Sequence, residues 1–391
     1  MRPQPNQMTM QPGSKIGADY AAALAELAQA GRLRQLAPRA DLDFASNDYL
    51  GLAQSPELAG AVISAIERGV PVGAGGSRLL RGNHPEHEAL EAEAAALFGA
   101  QSTLYFASGF MANSALFSTV PRRGDLVVHD ALVHASVHDG LRAGRADHVS
   151  AAHDEPQAFD DAIRTWRATG AKGRPWLALE SLYSMDGDHA RLADLADIAD
   201  RHDAFLVIDE AHATGVLGPQ GRGLAAGLEG RDNVITLHTC GKALGAAGAL
   251  LSMPATIRDF IVNRCRPFIY ATAPSPLLAA TVRAALQLCR DEPGRRERLA
   301  QLVRHAGAEL ELHCGVRPSG SQIQPVIIGD DRRAVAVAAR LRRRGFDIRA
   351  IRPPTVPEGT SRLRIAITMN VDEAAISDMA RAVAEELAQN A

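Results

Sequence analysis

Residues 204–215 read AFLVIDEAHATG, an apolar and β-branched run that ends in two acids and a histidine. This pattern predicts a buried strand with polar side chains at its carboxyl end. From about residue 85 to residue 270, helical patterns alternate with five further apolar runs: STLYF (102–106), DLVV (125–128), WLALE (176–180), NVITL (233–237) and GALLS (248–252). The alternation predicts an α/β fold with a largely parallel sheet covered by helices on both faces. Ligands of such sheets bind beyond the carboxyl ends of the strands.

The rest of the chain predicts smaller units on either side of this sheet. Leu and Ala at helical spacing over 18–33 predict an N-terminal helix, and an extended arm containing DFASNDYLGL follows it. After residue 274, a long helical stretch precedes three strand-like runs, QIQPVIIG, DIRAI and RLRIAI, which predict a separate, smaller α+β domain. The expected units are an N-terminal tail, helix and arm (1–50), a large α/β domain (51–285) and a C-terminal α+β domain (286–391).

Charge and composition argue against several kinds of partner. The formal net charge is −3, and no Lys/Arg run is longer than Arg342–Arg344, so we do not expect nucleic acid to bind. No stretch approaches the roughly 18 apolar residues of a membrane-spanning helix. The polar start, MRPQPNQMTMQPGSK, lacks the apolar core of a secretory signal and is typical of a frayed terminus. Four cysteines without metal-ligand spacing predict reduced thiols in a cytoplasmic protein that has no structural metal.

Two residues suggest what a site at this edge of the sheet could hold. Asp209 ends the quoted strand, and a carboxylate beside a pyridine nitrogen stabilises the protonated ring, the electron sink of pyridoxal 5'-phosphate (PLP) chemistry. Lys242 follows in HTCGKALG, among small residues that exclude water, and desolvation lowers the pKa of an amine that forms a Schiff base. A helix-capping Asp209 and a solvated Lys242 are the simpler interpretations of each residue alone. Their order along the chain, with His212 between them, favours PLP.

A second group of residues could bind the phosphate of such a cofactor. The segment STLYFASGFMANSALF predicts a strand, a turn and an apolar helix, so that backbone N–H groups of Gly109 and Phe110 would begin the helix. Free N–H groups at a helix start form an anion site. Thr239, three residues before the lysine, could add a hydroxyl. The turn alone is common and usually only connects two elements.

Two more side chains follow neighbouring strands. His134, in HDALVHASVHDG, could stack on a pyridine ring, and Ser184, in ESLYSMDGD, could bond to the ring oxygen or orient a histidine. An ordinary turn serine is an equal alternative for Ser184. The spacing of His129, His134 and His138 lacks the acidic partners of a trusted metal site, so we expect no metal here.

The motifs of this chain resemble those of the α-oxoamine synthases, PLP enzymes with the fold-type I aminotransferase architecture. The resemblance begins near residue 20, reaches the C-terminus, and is specific because eight motifs occur in order. These are SNDYLGL, GAGGSR, FASGFMANSA, HDALVHAS, SMDGD, IDEAHATGVLGPQGRG, HTCGKALG and IRPPTVPEGTSRLRI. Fold-type I implies a large domain with a mostly parallel sheet, a smaller C-terminal domain and an N-terminal arm.

The resemblance also implies roles for individual residues. The implied catalytic residues are Lys242 as the Schiff-base lysine, Asp209 as the partner of the pyridinium nitrogen, and His134 on the ring face. The implied cofactor contacts are these three residues with Gly109, Phe110, Ser184, His212, Thr239 and Thr272. Thr272 would reach the phosphate in the partner subunit of a homodimer with shared active sites. The implied substrate contacts are Arg34, Asn47, His134 and Thr355, and the neighbouring Arg32 could take the place of Arg34.

The reaction implied is that of a decarboxylating acyltransferase. Through IRPPTVPEGTSRLR above all, the chain is most similar to the family member that acts in biotin biosynthesis. That member joins L-alanine to a pimeloyl group carried on coenzyme A or on an acyl carrier protein. Lys242 would remove the alanine α-proton, and His134 could steer the loss of carbon dioxide. The alternatives are family members that use glycine or serine with other thioesters, a transaminase or β-eliminating lyase of the same fold, and an inactive binding protein.

Overall fold

The structure is a computed structural model that describes residues 17–389. The strands are β1 (Leu42–Asp43), β2 (Ser102–Phe106), β3 (Leu126–Asp130), β4 (Asp147–Ala151), β5 (Pro175–Glu180), β6 (Phe205–Asp209), β7 (Val234–Thr239), β8 (Ala249–Met253), β9 (Ile323–Gly329), β10 (Phe346–Asp347), β11 (Arg349–Ile351) and β12 (Ser361–Ala366). The helices are α1 (Ala18–Gln29), α2 (Pro56–Glu67), α3 (Pro85–Phe98), α4 (Gly109–Thr119), α5 (Ala135–Ala143), α6 (Pro156–Ala168), α7 (Leu192–Arg201), α8 (Ala255–Arg264), α9 (Arg266–Tyr270), α10 (Pro276–Asp291), α11 (Pro293–Cys314), α12 (Asp331–Arg343) and α13 (Glu373–Ala388).

The central sheet has the strand order β2-β8-β7-β6-β5-β3-β4. The pairs from β7 to β4 are parallel, whereas β8 is antiparallel to both of its neighbours. All six strands predicted from apolar runs are present, which confirms the α/β fold with a largely parallel sheet. The sequence pattern missed β4, because this edge strand is almost entirely exposed and carries the polar sequence DHVSA.

Helices cover the sheet on both faces, which explains why its strands are continuously apolar. On one face, Val127 of β3 and Val207 of β6 pack with residues of α4 and α5. On the other face, the next residue of each strand, Val128 and Ile208, packs with α6 and α7. Because neighbouring strand residues point to opposite faces, both positions must be apolar. The covered faces leave the carboxyl ends of the strands as the place where polar groups converge.

A second sheet follows the large one. Its order is β11-β12-β9, its pairs are antiparallel, and its core includes residues of α11, α12 and α13. The N-terminal arm joins this part of the chain, since β1 pairs with β10 in parallel, Leu42 opposite Phe346. The division at residues 50 and 285 stays a prediction; α10 runs through the second of these positions.

The first helix lies within the predicted helical pattern of residues 18–33. It ends at Gln29, and the chain turns at Gly31, whose φ of 69° lies in the left-handed region that favours glycine. The tail before residue 15, predicted to be frayed, lies outside the described residues. Within residues 17–389, no helix is both long and apolar enough to cross a membrane.

Candidate active site

Asp209 is the last residue of β6 and lies in the crevice beyond the carboxyl ends of the strands. Its side chain is buried, with one oxygen accepting a hydrogen bond from Asn113 Nδ2 at 2.8 Å and the other from the Ala211 N–H at 2.9 Å. These bonds fix the orientation of the carboxylate, and Asn113 itself is held by Ser136 Oγ at 3.1 Å. Asp209 is therefore a preoriented negative charge at the sheet edge, as the pattern predicts.

Lys242 lies in the loop after β7 and faces the same crevice. Burial lowers the pKa of Lys242 to about 8, against the opposing charges of Asp209 and Glu180. Gly245 lets this loop approach the segment just after the arm closely, because a Cβ there would lie 2.4 Å from the Ala53 nitrogen. Close packing of the loop is what removes water from the amine. Near neutral pH the lysine can therefore exist as a free, nucleophilic amine.

His212 joins the lysine to residues of the arm. Its Nε2 lies 2.9 Å from Lys242 Nζ, and its Nδ1 lies 2.7 Å from the hydroxyl of Tyr49. Burial lowers the pKa of His212 well below its usual value, and the positive charges of Lys242 and Arg364 act in the same direction. The imidazole is therefore neutral. Its backbone carbonyl accepts a bond of 2.7 Å from Gln322, which ties the turn after β6 to the second sheet.

Arg364 of β12 brings a buried positive charge to the site. Its Nε donates to the Ser184 carbonyl at 2.6 Å, and its Nη2 donates to Asn47 Oδ1 at 3.0 Å. The residue is 6% exposed, yet no carboxylate among residues 17–389 forms an ion pair with it. An unpaired buried charge is costly, so the guanidinium needs an anion from outside the chain. Asn47, predicted to be a substrate contact, shares this position.

The helix α4 begins beside Thr239, as predicted. A Cβ on Gly109 would lie 3.5 Å from Thr239 Oγ1. The Ser108 side chain caps the helix by accepting from the Met111 N–H at 3.1 Å. In the described part of the chain, the N–H groups of Gly109 and Phe110 have no acceptor. Two free donors and a hydroxyl thus meet at one helix start, an arrangement that binds phosphate.

His134 caps α5 and belongs to the same group of residues. Its Nδ1 accepts from the Ser136 N–H at 3.2 Å, which places the proton of the neutral ring on Nε2. Desolvation lowers the pKa of His134, with Lys242 acting in the same direction and Asp209 opposing. Phe110 meets the imidazole edge to face, with the ring centres 6.1 Å apart.

Ser184 and Glu180 form the floor of the crevice. The Ser184 N–H donates to Glu180 Oε2 at 3.1 Å, while Glu180 Oε1 has no partner among the described atoms. Burial and the neighbouring charge of Asp209 raise the pKa of Glu180 to about 8. Both roles predicted for Ser184, bonding to the ring oxygen and orienting a histidine, stay predictions. The hydroxyl that bonds to His212 among the described residues is that of Tyr49.

Arg34, Thr272 and Thr355 are predicted to contact the substrate or the cofactor, but among the described residues they form no hydrogen bond with the crevice residues. Arg34 and Thr355 are exposed and both lie near Arg352, whose carbonyl accepts from the Thr355 N–H at 3.0 Å. Thr272 forms a bridge with Ser77 on another exposed surface. Arg32, the alternative to Arg34, is occupied by ion pairs with Asp331 at 2.7 Å and Glu358 at 2.6 Å. Their roles in binding stay predictions.

Sequence reasoning missed Tyr49, Asn113, Glu180 and Arg364. Glu180 had a detectable signal, because it ends an apolar strand next to the one that ends in Asp209, and the two residues are paired in register. Tyr49 and Arg364 lie 315 positions apart in sequence. Only the fold brings them together.

His153, which lies outside the crevice, connects two of the loops that form the crevice. His153 Nδ1 lies 3.0 Å from Asp130, which ends β3 before the His134 loop, and its Nε2 lies 2.8 Å from Asp188, in the Ser184 loop. Bonds to these two carboxylates raise the pKa of His153 to about 10. The imidazolium thus holds the two loops together.

His153 makes folding depend on pH at the alkaline end. Its pKa is higher in the folded state, so its contribution is complete below pH about 6.5 and is lost as pH rises to about 10. Between pH 7 and pH 10 we expect the unfolding free energy to fall by about 2 kcal/mol more in the unmodified protein than in His153→Gln. Urea unfolding at each pH measures this, and equal slopes for the two proteins would show that His153 is not charged.

The comparisons with known proteins agree with this geometry. The family described as aminotransferase class I and II matches residues 39–383. The 8-amino-7-oxononanoate synthase of Anaeromyxobacter dehalogenans (strain 2CP-1) is 42% identical over 359 residues, which cover 91% of this chain and 89% of that protein.

Two solved structures show the same architecture. A structure of SPT with a PLP internal aldimine is 26% identical, with a TM-score of 0.85 over 95% of this chain and 98% of that one. An 8-amino-7-oxononanoate synthase from Francisella tularensis is 25% identical, with a TM-score of 0.74 over 89% and 98%. The fold is therefore the fold-type I architecture of PLP enzymes. The chain belongs to the class I and II aminotransferase family and, within it, to the α-oxoamine synthases.

Proposed function

We propose that this protein is an 8-amino-7-oxononanoate synthase that uses PLP to join L-alanine to a pimeloyl thioester. The observation that carries the proposal is the contact of Lys242 with neutral His212 in a crevice that also holds Asp209 and the unpaired Arg364. A relative with this activity in its name is 42% identical over most of the chain. The reaction consumes alanine and the thioester and releases carbon dioxide and a free thiol.

The residues of the crevice fit PLP in charge and in hydrogen-bonding capacity. Asp209 would hold the ring nitrogen, and His134 would lie against the ring. Gly109, Phe110 and Thr239 would bind the phosphate. Lys242 would bond to the aldehyde, and His212 and Ser184 would contact the phenolic oxygen. When bound, PLP supplies a protonated pyridine ring that stabilises negative charge on the carbon next to the amino group.

Arg364 and Asn47 would bind the carboxylate of the amino acid. Among the residues that the structure describes, no carboxylate pairs with the buried guanidinium; Nε and Nη2 are occupied, and Nη1 has no acceptor there and could bind a carboxylate oxygen. Asn47 Oδ1 keeps the guanidinium in place. A carboxylate bound here would neutralise the buried charge, so substrate binding removes an electrostatic cost that the free enzyme carries.

Lys242 is placed to move protons. Because its pKa is lowered to about 8, its amine can accept the alanine α-proton at Nζ and later return one. His212, neutral and 2.9 Å away, keeps the amine oriented. A new carbon–carbon bond then forms to the thioester carbonyl, the thiol leaves, and the alanine carboxylate departs as carbon dioxide. His134 would steer the loss of that carboxylate.

We further propose that the enzyme is a homodimer. Several large apolar side chains are exposed around the turn that contains GAGGSR: Val72, Leu79, Leu80, Tyr270 and Leu278. Ser275 donates to the Val72 carbonyl, which joins the two segments into one surface. A contiguous exposed apolar surface is typical of an oligomer interface. Thr272 lies on it, which supports a role at the partner's phosphate.

We also propose a cytoplasmic location. None of Cys240, Cys265, Cys289 and Cys314 forms a disulfide, and the first three are buried. Burial raises the pKa of each of these thiols, which keeps them protonated and unreactive. Free thiols are typical of proteins in reducing compartments.

The first test is the absorbance of the purified protein. With PLP, a visible imine band is expected, and thiol release from pimeloyl-coenzyme A should require L-alanine. Lys242→Ala should lose both. Lys172→Ala is the matched control, since Lys172 is exposed and the chain has only three lysines. An imine band without thiol release would support PLP as the cofactor but contradict the proposed reaction. Glycine and serine would then be tested in place of alanine.

A second prediction concerns Arg364. Arg364→Gln should raise the KM for L-alanine roughly ten- to hundredfold, because a charge-assisted bond to the carboxylate is lost. The KM for the pimeloyl thioester should change little. The control is Arg349→Gln, in which the replaced arginine pairs with Asp347 of β10. An unchanged alanine KM in Arg364→Gln would place the carboxylate elsewhere.

A third prediction concerns the dimer. Leu80→Asp puts a charge into the proposed interface, where Leu80 is 85% exposed in the single chain. The mass from light scattering during gel filtration should fall from that of a dimer toward a monomer. Leu312→Asp, at a 74% exposed position on α11, should leave the mass unchanged. A monomeric unmodified protein would refute the dimer.

A further inference from the structure

An exposed surface is formed where the N-terminal arm runs along α12. Arg332, near the start of α12, donates to the Gln29 carbonyl, and Arg342, near its end, donates to the Pro38 carbonyl. The arm therefore runs in the same direction as the helix, and residues 33–37 between these anchors are exposed. We define the arm–α12 surface as the exposed side chains of residues 33–37 and of α12.

This surface is strongly positive, although the whole chain has a net charge of −3. Residues 331–344 contain six arginines and one aspartate. Two of these arginines pair with Glu385 and Glu386 of α13, and the single aspartate is paired with Arg32. The remaining arginines of the helix have no carboxylate partner within the described chain. The segment before residue 17 contains no Asp or Glu that could supply one.

Positive charges are also held close together beside the arm. Arg352 donates to the Gly31 carbonyl, near Arg34. The pKa of Arg352 is lowered, first by burial and then by the charges of Arg34 and Arg32, while Asp331 opposes them. Neighbouring guanidinium groups with too few acids between them favour the binding of an anionic partner.

Apolar side chains are exposed among these arginines. Leu36 is fully exposed in the arm. The preceding helix α1 has no buried residue, and Tyr20, Leu24 and Leu27 are exposed along one of its faces. Aromatic and leucine side chains bordered by arginines are typical of a surface that binds protein, whereas a small phosphate ligand needs only the charge.

The segments that form this surface lead directly into the crevice. The arm continues through β1 to Asn47 and Tyr49, and the loop after Arg352 continues into β12, which carries Arg364. A partner bound on the arm–α12 surface would therefore lie beside both segments that close the crevice. A flexible thioester arm on that partner could enter the crevice beside these segments.

We infer that the arm–α12 surface docks an acidic acyl carrier protein that delivers the pimeloyl thioester. The inference rests on the proposed function, because that reaction requires an acyl group on a thiol carrier. Charge complementarity and the exposed apolar side chains select a folded acidic protein over coenzyme A, which offers phosphates and no apolar contact surface of comparable size.

The test compares three acyl donors with one charge-reversed variant. Arg343 is exposed on the outer side of α12 and lies outside the crevice. In Arg343→Glu, the KM for pimeloyl-acyl carrier protein should rise roughly tenfold. The KM values for pimeloyl-coenzyme A and pimeloyl-pantetheine should stay within experimental error. Arg123→Glu makes the same charge change at an exposed position before the amino end of β3, whereas the crevice lies beyond the carboxyl ends of the strands, and should alter none of the three.

Other outcomes would overturn the inference. An equal rise for coenzyme A and the carrier protein would mean that the surface binds the phosphates of coenzyme A. A changed mass of Arg343→Glu in light scattering would mean that the surface is a contact between copies of this chain. An unchanged KM of Arg343→Glu for all three donors would show that this surface does not dock the carrier protein. If the unmodified enzyme used none of the three donors, the proposed function would fail, which is distinct from a failure of the docking surface.

Discussion

Burial of charged groups in one crevice is the constraint on which the site depends. Lys242 and Arg364 carry positive charge in water, His212 gains one below pH about 6.5, and the three side chains lie within a few hydrogen bonds of one another. Desolvation and mutual repulsion keep His212 neutral and lower the pKa of Lys242 to about 8. Asp209 and Glu180, at the carboxyl ends of the strands, oppose this lowering of the Lys242 pKa. A lysine that can gain and lose a proton near neutral pH is the result.

The opposing acids come from the parallel sheet. Asp209 and Glu180 end neighbouring strands and are paired in register, so the backbone hydrogen bonds of the sheet determine their separation. Burial and the neighbouring charge of Asp209 raise the pKa of Glu180 to about 8, so that Glu180 is mostly protonated near neutral pH beside the Asp209 carboxylate. One protonated acid next to one carboxylate suits a site in which a carboxylate must stay ionised beside a protonated ring.

The N-terminal arm and the second sheet complete the crevice from the other side. Tyr49 and Asn47 come from the arm, and Arg364 comes from β12, so each reaches the site only because the arm joins the C-terminal part of the chain. Most cations of this protein are arginines, and only three lysines occur in the chain. Arginine stays charged when buried, whereas lysine loses its proton, so the two residue types are not interchangeable here. In the proposed reaction, Arg364 would bind as a fixed charge and Lys242 would react as an amine.

The sequence by itself determined the alternation of strands and helices, the strand ends at which Asp209 and Ser184 lie, the glycine-rich lysine loop, and the helix start at Gly109, because these follow from local periodicity and composition. Its motifs also determined the family. Periodicity could not reveal the exposed edge strand β4, the bond from Tyr49 to His212, or the fact that no carboxylate among residues 17–389 pairs with Arg364. These depend on contacts between residues far apart in the chain. Burial and pairing belong to the folded molecule, and they decide which of the many polar side chains carry shifted pKa values or unpaired charge.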